Sequence, residues 1–275
     1  MLQWRIGDVT IRVQLDQRQV PEALLAQYLP FEIPDESIPV PDIRIDAELV
    51  SNWSEDIDRF EVRYEASPEM ARGSVIDVQS LGATGQFRVI GPARLHGRFR
   101  LDGQSAAPLD RLLRLSLALY FGQFSNGALL HSSGVLSNEG VWLFAGPSGT
   151  GKSTIARELR GGRTFFTEDI AVLRLDGDHR VTAWSTPFGK GDVMTVQPAS
   201  EKVAGILFLE QGNQPERAPL TVSEYARRLY CETRYYDRDV SDVDGFLGFC
   251  DRLYRTGLCE KLTFAPNELF WNLLE

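Results

Sequence analysis

At positions 146–153 the chain reads Gly146-Pro147-Ser148-Gly149-Thr150-Gly151-Lys152-Ser153, and this stretch decides which fold the sequence predicts. Its glycine, lysine and serine spacing is typical of a loop that binds the phosphates of a nucleoside triphosphate. An apolar run at 141–145 leads into it as a buried strand, and a short helix follows until residues 161–162, both glycine, end the helix. Since both flanking elements have the required form, we predict a phosphate-binding loop.

The residue types in this loop suit a bound triphosphate. Glycines allow successive backbone N–H groups to point at phosphate oxygens. Lys152 can reach the β- and γ-phosphates, and the hydroxyl of Ser153 can join the coordination shell of a magnesium ion. We therefore expect ATP and Mg²⁺ as cofactors, with residues 146–153 and Thr154 as the binding loop. The chain has no Asn-Lys-x-Asp motif of the kind that recognises guanine, so adenine is the expected base.

Two adjacent carboxylates, Glu168 and Asp169, follow a predicted strand at 164–166. In a doubly wound sheet this strand would run beside the loop strand, and such sheets gather their ligands at the carboxyl ends of strands. One carboxylate can then orient magnesium while the other accepts a proton. An ordinary surface turn is the alternative interpretation, but the apolar run at 170–173 favours burial.

Composition narrows the class of partner. The 275 residues carry a formal charge of −9, so no global positive field attracts nucleic acid or an anionic membrane surface. Charged and polar residues interrupt the most apolar stretch, 109–136, so a membrane-spanning helix is not expected, and the first ten residues lack the pattern of a signal peptide. The three cysteines lack C-x-x-C spacing, which indicates buried thiols. We expect a cytoplasmic protein, and assembly into a homo-oligomer stays open.

The hydrophobic pattern changes character near residue 106. Before it, alternating runs predict strands, beginning with a hairpin at 4–15, and a short helix at 21–28. After it, a helical pattern begins at residue 109, and helices are predicted at 221–232, 243–256 and 267–274. We therefore predict a β-rich recognition or assembly domain at 1–106. A P-loop kinase domain at 107–275 follows, of α/β or α+β class, with a helical C-terminus.

The second half of the sequence resembles the HPr kinase/phosphorylase family, whose catalytic domain is similar to that of phosphoenolpyruvate carboxykinases. The resemblance rests on His131 upstream of the loop, on the loop itself, and on the acid pair 168–169, and it covers residues 128–176. It implies that His131 lies in the active site and that Glu168 is the base toward the acceptor hydroxyl. It also implies that Ser153 and Asp169 help to hold magnesium.

The sequence departs from that family at two points. Glu168 stands where the family usually has aspartate, and the family's Glu-Ile-Arg-Gly-x-Gly stretch has no counterpart. The corresponding segment, 184–192, is a glycine-rich turn in which Lys190 could neutralise a transferred phosphate; an exposed loop lysine is the alternative. This segment is more similar to divergent HPr-kinase-like proteins that phosphorylate a serine on a peptide or small molecule.

We therefore expect a magnesium- and ATP-dependent kinase that acts on a hydroxyl, with serine as the expected group, of a peptide, protein or small molecule. Lys152, Glu168, His131 and Lys190 are its candidate catalytic residues. Two alternatives stay open: an adaptor that senses nucleotide without chemistry, and a plain ATPase that has no acceptor.

Overall fold

The computed structural model describes residues 1–16, 26–34, 40–51, 53, 61–65, 75–80, 82–90, 93–124, 127–157, 164–189, 196–233, 243–264, 271, 273 and 274. The chain divides into two compact units, Met1–Ser125 with Tyr235–Val243 and Asn126–Arg234 with Asp244–Glu275. Helix α1 (Ala107–Phe124) belongs to the first of these units.

The first unit is built on one mixed sheet. Its strands are β1 (Leu2–Ile6), β2 (Val9–Leu15), β3 (Ile43–Val50), β4 (Glu61–Glu65), β5 (Val75–Ser80), β6 (Ala83–Val89) and β7 (Leu95–Asp102), in the order β1-β2-β3-β7-β6-β5-β4. The predicted hairpin at 4–15 is confirmed, and Gly7 adopts the positive φ of +68° in its tight turn. Helix α1 packs on β6 and β7. Most of the helix predicted at 21–28 lies outside the described residues.

The second unit carries the predicted phosphate loop. Its strands are β8 (Gly127–Ser137), β9 (Gly140–Ala145), β10 (Thr164–Thr167), β11 (Ile170–Leu175), β12 (Val181–Trp184), β13 (Ser200–Gln211), β14 (Glu216–Pro219) and β15 (Cys259–Phe264). Its helices are α2 (Lys152–Arg157), α3 (Val222–Glu232) and α4 (Val243–Arg255). Five strands, paired in the sequence β8-β11-β12-β13-β9 and back to β8, close into a barrel.

The predicted fold class is wrong. Strands make up 48% of the structure and helices 25%, and the two sheets with their five-stranded barrel are not an α/β P-loop kinase domain with a helical C-terminus. The structure differs from the predicted class because most pairs among the described strands of the second unit are antiparallel, whereas a doubly wound sheet is mostly parallel. Strand β14 pairs antiparallel with β15, and β15 lies between α4 and the end of the chain. The helix predicted at 267–274 lies mostly outside the described residues.

The loop follows β9, which is one of three neighbouring parallel strands. Strand β13 pairs in parallel with β9 on one side and with β15 on the other, so the carboxyl ends of all three lie at one edge. All six residues of β9 are buried because both faces of this strand are covered. Leu143 packs in a cluster with Leu229 of α3, whereas its neighbour Phe144 packs with Ile155 of α2. Helices therefore cover opposite faces of the strand that leads into the loop.

None of the helices in the described part of the chain has both the length and the hydropathy that a bilayer crossing requires.

Candidate functional site

The glycine-rich loop after β9 is a tight turn with positive φ angles. Gly149 and Gly151 have φ angles of +87° and +108°, a region in which an L-residue with a side chain is strained. The hydroxyl of Thr150 donates to the carbonyl of Pro147 at 2.8 Å, which holds the turn from inside. From the adjacent strand, the side-chain amide of Gln211 donates to the carbonyl of Gly149 at 3.1 Å. The loop is therefore braced at its tip by β13.

Lys152 is folded back into the loop. Its side chain is buried, with 8% of the residue exposed, and its ammonium donates to the carbonyl of Gly146 and, at 3.2 Å, to that of Pro147. The backbone carbonyl of Lys152 accepts a hydrogen bond of 3.0 Å from the hydroxyl of Ser133 on β8. A buried cation must be partnered, and here its partners are carbonyls of the loop itself. The positive charge thus lies inside the loop that was predicted to bind phosphates.

The acid pair lies at a bend beside β8. Strands β10 and β11 both pair antiparallel with β8, with Thr167 opposite Gly134 and Ile170 opposite His131. The bend between them carries Glu168 and Asp169, and the backbone carbonyl of Asp169 accepts from Ser132 at 3.0 Å. The expectation that β10 runs beside the loop strand is wrong, because β8 separates β10 from β9. The carboxylates nevertheless lie along the strand that also contacts the loop.

Glu168 is buried to 9% exposure and packs against the backbone of Gly189. A Cβ atom built on Gly189 would lie 2.2 Å from Oε2 of Glu168, which is closer than real Cβ atoms come, so the carboxylate would have to shift. The hydroxyls of Thr167 and Thr186 both donate to the carbonyl of Ile170 at 2.6 Å, which ties the bend to the segment that ends at Gly189. Glycine at position 189 therefore sets where the carboxylate of Glu168 can lie.

His131 lies between two carboxylates. Its Nε2 is 3.2 Å from Oδ1 of Asp169, and its Nδ1 is 3.0 Å from Oε2 of Glu232. The hydrogen bonds to Asp169 and to Glu232 raise the pKa of His131 above its ordinary value, while burial and the charge of Lys152 oppose that rise. Both ring nitrogens face acceptors, so the doubly protonated ring suits this position. The raised pKa and the two acceptors favour the protonated imidazole beside the acid pair.

The structure brings most of the predicted residues together in one unit. His131 and Ser133 are two residues apart on β8 and so share one face of the strand, about 7 Å apart along it. Ser133 contacts Lys152, while His131 contacts Asp169. Thr154 lies in α2 behind the loop. Ser153 lies in the same helix, but its side chain is outside the described part of the structure, and Lys190 is outside the described residues altogether.

Three residues of the site were not predicted from the sequence. They are Gly189, Gln211 and Glu232. Glu232 is 101 positions from His131, and Gln211 is 62 positions from Gly149, so no local pattern joins either pair. The only signal for Gly189 was its place in a glycine-rich turn.

The residues present fit a magnesium ion that is held mainly by a nucleotide. Among the described residues, no group of three or more histidine, cysteine, aspartate or glutamate side chains is arranged to hold a metal ion. Mg²⁺ does not require such a group, since it keeps several waters and is bound through substrate phosphates and one or two carboxylates. Asp169, whose side chain is 33% exposed, is the carboxylate of the pair with access to such an ion.

Comparison with known proteins leaves the family open: no protein-family model matches the chain, and no curated protein is significantly similar to it in sequence.

Proposed function

We propose that the second unit binds ATP with magnesium and transfers the γ-phosphoryl group to a hydroxyl of a peptide, protein or small molecule, with serine as the expected group. One observation carries this proposal. On strand β8, the hydroxyl of Ser133 donates to the carbonyl of Lys152 and the backbone N–H of Ser132 donates to the carbonyl of Asp169. The strand therefore brings the predicted phosphate loop and the acid pair close together. The proposal rests on these site residues and not on the fold class that was predicted.

On the donor side, the loop and Lys152 perform one task. The amides of residues 146–152 and the ammonium of Lys152 bind the phosphates, and the ammonium exchanges its two loop carbonyls for phosphate oxygens. A bound Mg²⁺ would neutralise negative charge on the phosphates. Phosphoryl transfer needs in-line positioning and charge compensation more than covalent chemistry, so a rigid loop with a fixed cation suits it.

On the acceptor side, the two carboxylates have different roles. Glu168, held against Gly189, accepts the proton of the acceptor hydroxyl. The hydroxyl oxygen attacks the γ-phosphorus, the bond from that phosphorus to the bridging oxygen breaks, and ADP leaves. Asp169 would help to hold the magnesium ion, and His131 keeps that carboxylate in one orientation through the hydrogen bond to Oδ1. A buried Glu168 and a partly exposed Asp169 beside the predicted phosphate loop favour chemistry over a pure nucleotide sensor, which needs no base.

Incubation with γ-labelled ATP, magnesium and a cell extract tests the proposal. We expect label in the peptide, protein or small-molecule pool, and none when the chain carries Lys152→Ala. ATP that is bound but not consumed would replace the proposal with the nucleotide-sensing adaptor. Release of inorganic phosphate without any labelled acceptor would replace it with the plain ATPase.

Gly189→Ala tests the role of the contact with Glu168. We expect the rate of transfer to fall about 100-fold, because a displacement of roughly 1 Å at a reacting group costs that much. The affinity for magnesium–ATP should stay unchanged, since the donor loop is not touched. Transfer is measured with γ-labelled ATP, and affinity by calorimetric titration.

Gly177→Ala is the matched control, because a Cβ at Gly177 has open space around it in the turn between β11 and β12. That variant should transfer at the wild-type rate. Equal rates in the two alanine variants would show that Gly189 does not position Glu168.

We further propose that the first unit recognises the acceptor or supports assembly, and that the protein acts in the cytoplasm, where ATP is available. Nucleic acid and membrane are not among its proposed partners, in keeping with the formal charge of −9.

A further inference from the structure

Glu232 is a buried carboxylate that the proposed reaction does not yet use. It is the last residue of α3, and only 4% of it is exposed. Its Oε2 accepts from Nδ1 of His131, whose Nε2 in turn faces Asp169. A chain of two hydrogen bonds therefore runs from the end of a helix to a carboxylate of the site.

Both ends of α3 are anchored, which gives Glu232 a definite position. At the start, Thr221 and Glu224 form a capping box, in which each side chain bonds the backbone of the other residue. At the end, Thr233 forms a β-bridge with Leu130, the residue before His131 on β8. Between the ends, Leu229 packs in the core of the second unit. The carboxylate thus approaches His131 from a rigid element.

A purely structural role would not favour a carboxylate here. Burying a charged group costs free energy unless it is paired, and well-packed apolar residues of similar volume often replace a buried ion pair at no loss of stability. An apolar side chain would end α3 equally well. It would not accept the hydrogen bond that the Nδ1–H group of His131 donates, and so would not fix the plane of the ring and the direction of Nε2.

We propose that Glu232 is a positioning residue of the transfer site: it holds the imidazole of His131 so that Nε2 keeps the carboxylate of Asp169 in the orientation needed for phosphoryl transfer. This inference rests on the proposed function. A group that hydrogen-bonds a functional side chain holds that side chain in orientation, and loss of such a group commonly lowers activity about 10- to 100-fold.

The test compares Glu232→Ala with Glu232→Gln. The alanine variant loses the acceptor for Nδ1, so we expect the maximal transfer rate from γ-labelled ATP to fall about 10- to 100-fold, while KM for ATP changes by less than about threefold. The glutamine variant keeps an acceptor oxygen and nearly the same volume, so it should retain more of the rate than alanine does. It also answers the objection that the alanine variant folds poorly.

Two further measurements separate positioning from a general loss of structure. In a His131→Ala background, Glu232→Ala should cost little more, because a residue that acts through His131 has no effect once the ring is gone. The ring-nitrogen NMR shifts of His131, recorded without nucleotide, should change in Glu232→Ala and stay close to wild type in Glu224→Ala. Glu224→Ala, which weakens the far end of α3, should transfer at the wild-type rate.

The outcomes are distinct. If the wild-type chain transfers label and Glu232→Ala does so within about twofold of it, the positioning role is wrong and the proposed function stands. Additive losses in the His131 background would also overturn it. If the wild-type chain transfers no label, the proposed function fails and this inference with it, while altered ring shifts in Glu232→Ala would still establish the hydrogen-bond chain.

Discussion

We expect Lys152→Ala to lower the affinity for magnesium–ATP by about 100-fold or more. In the proposed complex the ammonium leaves its two loop carbonyls for phosphate oxygens, and hydrogen bonds to a charged group contribute roughly 1.5–3 kcal/mol each. Phosphoryl transfer is lost at the same time. Isothermal titration with ATP and Mg²⁺ measures the first effect, and labelled transfer measures the second.

Two further variants complete this experiment. Lys152→Met keeps the apolar stem in its buried position and removes only the charge, so it should bind as weakly as the alanine variant. Lys202→Ala removes an exposed lysine near the other end of the strand next to β9, and should bind ATP as the wild-type chain does. Tight binding by both Lys152 variants would contradict the assignment of the loop as a triphosphate site.

Glu168→Gln should leave the affinity for magnesium–ATP within about threefold of wild type and reduce transfer by about 10²- to 10⁴-fold, the usual contribution of a general base. The amide preserves the volume next to Gly189 but accepts no proton. Binding without transfer is therefore the expected signature, and it differs from that of the Lys152 variants. Single-turnover transfer from γ-labelled ATP, measured beside calorimetric titration, separates a loss of transfer from a loss of binding.

Glu168→Asp retains a carboxylate that is shorter by one methylene and should lose less activity than the glutamine variant. Glu139→Gln, in the exposed turn between β8 and β9, is the matched control and should behave as wild type. If Glu168→Gln transfers at more than about a tenth of the wild-type rate, another group is the base.

The backbone form of the glycine-rich loop could be predicted from the sequence because it depends on local residue types. Glycines at 149 and 151 permit positive φ angles whatever surrounds them, and a buried strand before the loop is visible as an apolar run. The hairpin at 4–15 and helices α3 and α4 were also predicted from local pattern, because alternation over a few residues or helical spacing over a few turns is enough to indicate them.

The pairing of strands could not be predicted in the same way. The segment 164–175 shows two short strands in the sequence, but nothing local indicates that both pair with β8 and place their bend opposite Ser132 and Ser133. A doubly wound order was assumed, and the barrel formed instead. Short strands fit several partners, so tertiary packing selects among them.

The sequence by itself therefore determined which groups were available: a glycine-rich loop with Lys152, an acid pair that follows it and a histidine upstream. Only the tertiary structure decided how these groups meet. It placed His131 between Asp169 and Glu232, and it set Gly189 against Glu168. The physical reason is the distance along the chain over which each effect acts. Dihedral preferences and periodicity act over a few residues, whereas these contacts depend on which strands and helices pack side by side.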